Sequence, residues 1–189
     1  MKRTGKSGWL RRASALLLLL TLALSGCAAP AEKTQAEKTA AYLMDTVTEP
    51  SCGSVGGEWA VIGLARAGCA VKDGYFEGYY DRLCETLRAC GGVLDARKNT
   101  EYSRVILALT AIGKDPSDVA GYDLLLPLAD HEQTLWQGLN GPIWALIALD
   151  AGAYAIPQTV SGTQASRARY VQTILDAQTE NGAWGLAAG

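Results

Sequence analysis

RYVQTILDAQTENGAWG, residues 169–185, is the stretch on which the fold turns. From Arg169 to Gln178 it puts Tyr170, Val171, Ile174, Leu175 and Gln178 on one stripe, the spacing of an amphipathic surface helix. A turn with Gly182 follows, and then Trp184. A glutamine ending such a helix can hydrogen-bond the backbone groups left open there, and a tryptophan opening the next helix can pack on the turn. The stretch reads as a structural staple between consecutive helical units.

Toward the N-terminus, three segments are apolar almost all the way round: Glu58 to Ala67, Tyr102 to Ile112 and Pro142 to Ala151. A helix with no polar face needs cover on every side. Each segment stops at a glycine, Gly68, Gly113 and Gly152, as expected of a left-handed C-cap, and the third opens on Asn140-Gly141-Pro142, with proline in its first turn. Between them lie amphipathic helices. Tyr79 to Cys90 carries Tyr80, Leu83, Cys84 and Leu87 on one stripe, and Thr34 to Val47 and Tyr122 to Leu135 are weaker members, with Pro127 expected to kink or divide the latter. The terminating glycines recur about every 40 residues, so one amphipathic and one apolar helix form a repeated unit. Apolar helices inside and amphipathic ones outside satisfy both patterns. The expectation is an all-α fold, either a helical solenoid or an α/α barrel.

The spacing Gln178-x-x-x-Gly182-x-Trp184, after an aromatic-then-aliphatic helix, resembles the QW repeat of squalene–hopene cyclases and the wider prenyltransferase/squalene oxidase repeat. GGEWAVIGLARAG (56–68), TEYSRVILALTAIGKDPSDVAGYDLLLPL (100–128) and TLWQGLNGPIWALIALDAG (134–152) look like the toroid half of Gram-positive gut-type surface proteins built on these repeats. The resemblance covers roughly residues 40–189 and implies a terpenoid cyclase-like α/α toroid, here about three helical hairpins where the wider family closes six. The chain is therefore expected to be completed by further sequence or by an assembly partner. In that group a transcobalamin-like module, absent from this chain, commonly accompanies the toroid, so a corrinoid such as cobalamin or an isoprenoid-like molecule is the ligand implied. The family's cavity opens near the starts of the inner helices. Glu58, Trp59, Tyr102, Arg104, Trp136, Gln137, Asn140, Trp144 and Trp184, with Glu101 beside them, stand at those starts. Aromatic faces with a few placed polar groups suit a bulky, mostly apolar ligand. Plain packing is the rival for Trp59 and Trp144. Glu58, Arg104 and Gln137 each need a partner in such a layer, and Glu58 with Arg104 reads equally as a structural pair.

Strings that would mark catalysis are missing. No Asp-x-Asp-Asp acid of the cyclases and no Asp-Asp-x-x-Asp metal site of the prenyl synthases occurs, and Gly-x-Ser-x-Gly is absent. The one histidine, His131 in Ala-Asp-His-Glu-Gln, reads as a solvated surface residue, and a zinc site needs three or four converging ligands. Cys52 to Gly57 reads as a glycine-rich loop into the first inner helix, with phosphate binding at that helix start as the lesser alternative. The expectation is a non-catalytic ligand- or partner-binding module with no resident cofactor or metal. A cyclase or prenyltransferase-like enzyme completed elsewhere, and a structural or adhesive spacer, are the alternatives.

The N-terminal stretch sets the address. Lys2, Arg3, Lys6, Arg11 and Arg12 precede an apolar run from Ala13 to Leu24, then Leu24-Ser25-Gly26-Cys27, the order of a signal peptide. The run is too short to cross a hydrocarbon core of about 30 Å as a helix. Leu-Ser-Gly-Cys resembles a bacterial lipobox, which implies lipid on Cys27 and a place on the outer face of the cytoplasmic membrane. Residues 1–27 are thus expected to be a leader, 28–38 a tether and 39–189 the helical domain. Losing residues 1–27 removes five of the 17 basic residues and none of the 19 acidic ones, leaving a net charge of about −7. Such a domain offers no basic face for nucleic acid. Outside the cytoplasm, Cys52, Cys69, Cys84 and Cys90 admit one or two disulfides or free thiols. Cys84 and Cys90, six apart on one helix, are poorly placed for each other.

Overall fold

A computed structural model describes residues 33–185. The leader, Cys27, most of the tether and the last four residues lie outside the described residues. Seven α-helices follow in order: α1 Gln35–Thr46, α2 Gly57–Ala67, α3 Tyr75–Ala89, α4 Asn99–Ala111, α5 His131–Thr134, α6 Asn140–Ala151 and α7 Arg167–Asp176. Short 3-10 turns at Leu126–Ala129 and Leu135–Gln137 flank α5. The fold is all-α, and no strand is present among the described residues. Among the same residues no helix is long and apolar enough to cross a membrane.

The three apolar helices are neighbours in a row: α4 packs on α2 at one side and on α6 at the other, and α7 lies against α6. Helix α4 is covered most completely, burying Tyr102, Val105, Ile106, Ala108 and Leu109. Each fully buried leucine or isoleucine in this layer contributes roughly 1.5–3 kcal/mol relative to exposure. Helix α6 is equally apolar but leaves Ile147 exposed, so one of its faces has no cover among the described residues. The amphipathic α3 adds Tyr79, Leu83, Cys84 and Leu87 to the core. Tyr79 joins that stripe fully buried, and the expected Tyr80 packs half-buried against the core with its ring 4.7 Å from the Lys114 ammonium. Two long-range bonds tie α3 to the segment after α1: the Tyr75 hydroxyl donates to the Val47 carbonyl at 2.7 Å, and Arg82 Nε to that of Pro50 at 2.9 Å.

Helix ends follow the glycine pattern with one correction. Gly68 and Gly113 take positive φ, 63° and 73°, and close α2 and α4. Gly152 does not: its φ is −121°, and the left-handed residue is Ala153 at 53°. A side chain at 152 would meet the Tyr154 ring, 2.3 Å from Cζ, so close approach and not turn geometry explains that glycine.

The expected helix from Tyr122 to Leu135 is replaced by the two 3-10 turns and the single turn of α5. Helical ladder bonds are not needed there, because side chains from distant helices supply the partners. Asn99 Nδ2 donates to the Pro127 carbonyl at 2.8 Å, and the Tyr170 hydroxyl to the Leu128 carbonyl at 2.8 Å. Thr134 Oγ1 lies 3.0 Å from Asn99 Nδ2 and 3.1 Å from the Tyr170 hydroxyl, knotting the two together. Burial pushes the Tyr170 phenol up to about 12. His131 is also corrected: it is buried, stacked on Tyr170 at 5.6 Å, with Nε2 3.1 Å from Thr173 Oγ1. Burial, and then the Arg169 charge, lower its pKa from the usual value.

At the C-terminal turn, Gln178 Nε2 donates to the Gly182 carbonyl at 2.9 Å, and Trp184 Nε1 donates to that of Ile174 at 2.7 Å. Gly182 turns the chain with φ 81°. The glutamine thus closes the turn and the indole takes up a carbonyl in the last part of α7.

Candidate functional site

Helix periodicity decides which side chains meet at the starts of the apolar helices. Thr100 and Arg104 are four apart on α4, as are Asn140 and Trp144 on α6, so each pair shares a face. With Trp59 on the first turn of α2 and Gln137 on the preceding 3-10 turn, these six residues line a pocket of about 150 Å³. The Trp59 and Trp144 rings lean on each other, centroids 5.5 Å apart at 60°, and form one continuous aromatic wall. Trp59 remains 48% exposed, so its face is available to solvent and not spent on the core.

The polar liners are partly engaged. Gln137 Oε1 accepts from Thr100 twice, from its backbone N–H at 3.2 Å and its hydroxyl at 2.9 Å. That fixes the amide so that Nε2 keeps both protons free of acceptors among the described residues. The Asn140 side chain and both indole N–H groups of the wall also have no hydrogen-bond partner among the described residues.

A charge cluster runs from the pocket wall inward, with Arg104 and Glu101 half-buried and Glu58 buried. Arg104 is held by Glu101, and its Nε stands 3.8 Å from Glu58 Oε2. Glu58 is only 2% exposed, and its Oε1 accepts the Gly53 N–H at 2.9 Å. Burial, and then the Glu58 carboxylate against it, push the Cys52 thiol up to about 12, so this cysteine stays protonated. Burial does the same to Tyr79, with Glu58 and Cys52 adding to it. The Tyr79 hydroxyl and Arg104 Nε are both buried without a hydrogen-bond partner.

The structure therefore brings Trp59, Arg104, Gln137, Asn140 and Trp144 together, with Glu58 directly behind them. The remaining three residues lie elsewhere. Tyr102, two residues from Arg104 and thus on the opposite face of α4, is buried and accepts the Leu94 N–H at 2.9 Å. Trp136 lines a separate groove with Arg97, whose guanidinium lies 5.8 Å from its ring centroid. Trp184 belongs to the C-terminal turn. Sequence reading missed Thr100 and Cys52. Thr100 is legible as the residue four before Arg104 once α4 is started at Asn99.

The chain matches no protein-family model, no curated protein and no solved structure. Among the described residues no group of three or more His, Cys, Asp or Glu is arranged to hold a metal ion, and the four cysteines there are free thiols.

Proposed function

We propose that this chain is a lipid-anchored capture module on the outer face of the cytoplasmic membrane, built as part of an α/α toroid, which binds a ligand without transforming it. The pocket at the starts of α2, α4 and α6 carries the reading. It combines an aromatic wall with amides whose donors have nothing else to bond, the composition of a binding site. The row of apolar helices and the Gln178-Gly182-Trp184 turn support the toroid part. Among the described residues the only ionisable group lining the pocket is Arg104, held by two carboxylates, so the wall they form offers no general acid or base. The charged start, short apolar run and Leu24-Ser25-Gly26-Cys27 support the anchor.

Labelled palmitate tests the anchor: the parent chain is expected to incorporate it and Cys27→Ser to lose that label, whereas an unlabelled parent overturns the lipoprotein assignment. For capture, thermal unfolding of the full chain is followed with cyanocobalamin, farnesol and neutral saccharides. At least one class is expected to raise the midpoint, and Trp144→Ala to abolish the rise. Indifference to all three classes overturns capture.

A further inference from the structure

We infer that the ligand of the Trp59/Trp144 pocket is an uncharged pyranose sugar, bound as a single ring or as the terminal unit of a glycan. This rests on the capture reading and adds the chemical class. Size comes first: about 150 Å³ is below the roughly 300–1,000 Å³ of clefts that enclose drug-sized molecules. That space would enclose one small ring, whereas most of a macrocycle or a long isoprenoid chain would lie outside it.

Charge comes second. Arg104 is the only charged liner, and it sits against both Glu58 and Glu101, so its positive charge is more than matched before a ligand arrives. An anion gains little there. A cation finds no cage, because the two indoles touch each other at 5.5 Å and leave no slot between them, and the two carboxylates stand behind the lining residues.

The surviving features match a sugar on two faces. The C–H face of a pyranose carries weakly positive hydrogens that suit the negative face of an indole. Its rim of hydroxyls needs neutral donors and acceptors at close quarters. The amides of Gln137 and Asn140, both lining the pocket, supply them, and neither Gln137 Nε2 nor the Asn140 side chain is engaged within the described protein. Gln137 is held in place by Thr100, so its donor is oriented before binding.

The test is tryptophan fluorescence of the full chain in a sugar-free detergent, titrated with mannose, N-acetylglucosamine and maltotriose, and with glucuronate and glucosamine as charged counterparts. Neutral sugars are expected to change the emission saturably and the charged ones to bind more weakly. Asn140→Ala removes an exposed amide that bonds nothing in the protein, so unfolding should be unchanged while sugar affinity falls about tenfold or more, a loss of about 1.4 kcal/mol. Trp144→Ala should abolish binding. Charged sugars binding as well as neutral ones, or affinities untouched in both variants, would overturn the inference. If farnesol or cyanocobalamin binds and every sugar fails, the sugar assignment falls and capture stands; silence from all of them removes both.

Discussion

Gly141→Ala is expected to cost about 4 kcal/mol or more of folding stability, at the top of the range for single substitutions. A Cβ at this position would lie 1.7 Å from the Thr134 carbonyl oxygen and 2.8 Å from its carbon. Neither obstacle is a flexible side-chain end. Thr134 is fixed by its own bond to the Asp130 carbonyl at 2.8 Å and by Asn99 and Tyr170, and only the tight turn Leu135–Gln137 with Gly138 and Leu139 separates it from α6. Relief requires α6 to move as a body, which pulls Trp144 and Asn140 out of the pocket. Denaturant unfolding of the variant measures the cost. Gly63→Ala is the matched control, because nothing lies within 4 Å of the place its methyl would take inside α2 and alanine is the better helix former, so a gain of about 0.5–1 kcal/mol is expected. A Gly141→Ala protein within about 0.5 kcal/mol of the parent would refute the packing described for this corner.

Glu58→Ala is expected to cost about 3 kcal/mol, because it strips the Gly53 N–H of its acceptor and leaves Arg104 with Glu101 alone. The figure is at the low end for a broken buried pair since Arg104 keeps one partner. Glu58→Gln retains an amide oxygen for Gly53 and should lose less than half as much. It also separates charge from packing at Cys52. Burial is the larger cause of that thiol's raised pKa and survives the substitution, whereas the carboxylate's share does not. The Cys52 pKa should therefore fall but stay above its ordinary value of about 9.0. Peptide-resolved thiol labelling against pH reads this directly. An unchanged Cys52 profile in Glu58→Gln would show that the carboxylate does not face the thiol.

The apolar helices were legible because a segment hydrophobic on every side and ended by a glycine reads as a helix whatever surrounds it; how far each is covered was not, since α4 is largely buried while α2 leaves Trp59 and α6 leaves Ile147 exposed. The same reasoning failed between Tyr122 and Leu135. There the backbone partners come from Asn99 and Tyr170, 28 and 42 residues away, and no local pattern reports them. His131 was misread for the same reason, since the α7 residues that cover it arrive from far along the chain. At the pocket, residue type and position at helix starts were enough to bring five of the nine candidate residues together. Tyr102 and Arg104, two apart on one helix, face opposite ways wherever that helix starts, so their separation was legible too; the start of α4 at Asn99, which adds Thr100 to the Arg104 face, was not. Trp136 was a matter of turn geometry, because it sits on the 3-10 turn Leu135–Gln137 just before α6, where successive side chains are aimed differently from those of an α-helix.

The knot of Asn99, Thr134 and Tyr170 has a consequence for how binding and order are linked. Residues Leu126–Gln137 possess little regular ladder of their own, so their rigidity is on loan from α4 and α7. Gln137, at the end of that stretch, is a wall of the pocket. Loosening α7 would therefore release Gln137, although no atom of α7 lines the pocket, and a ligand gripping Gln137 would in turn steady α7. Occupancy of the pocket would thereby be felt at the helix that carries the Gln178-Gly182-Trp184 turn.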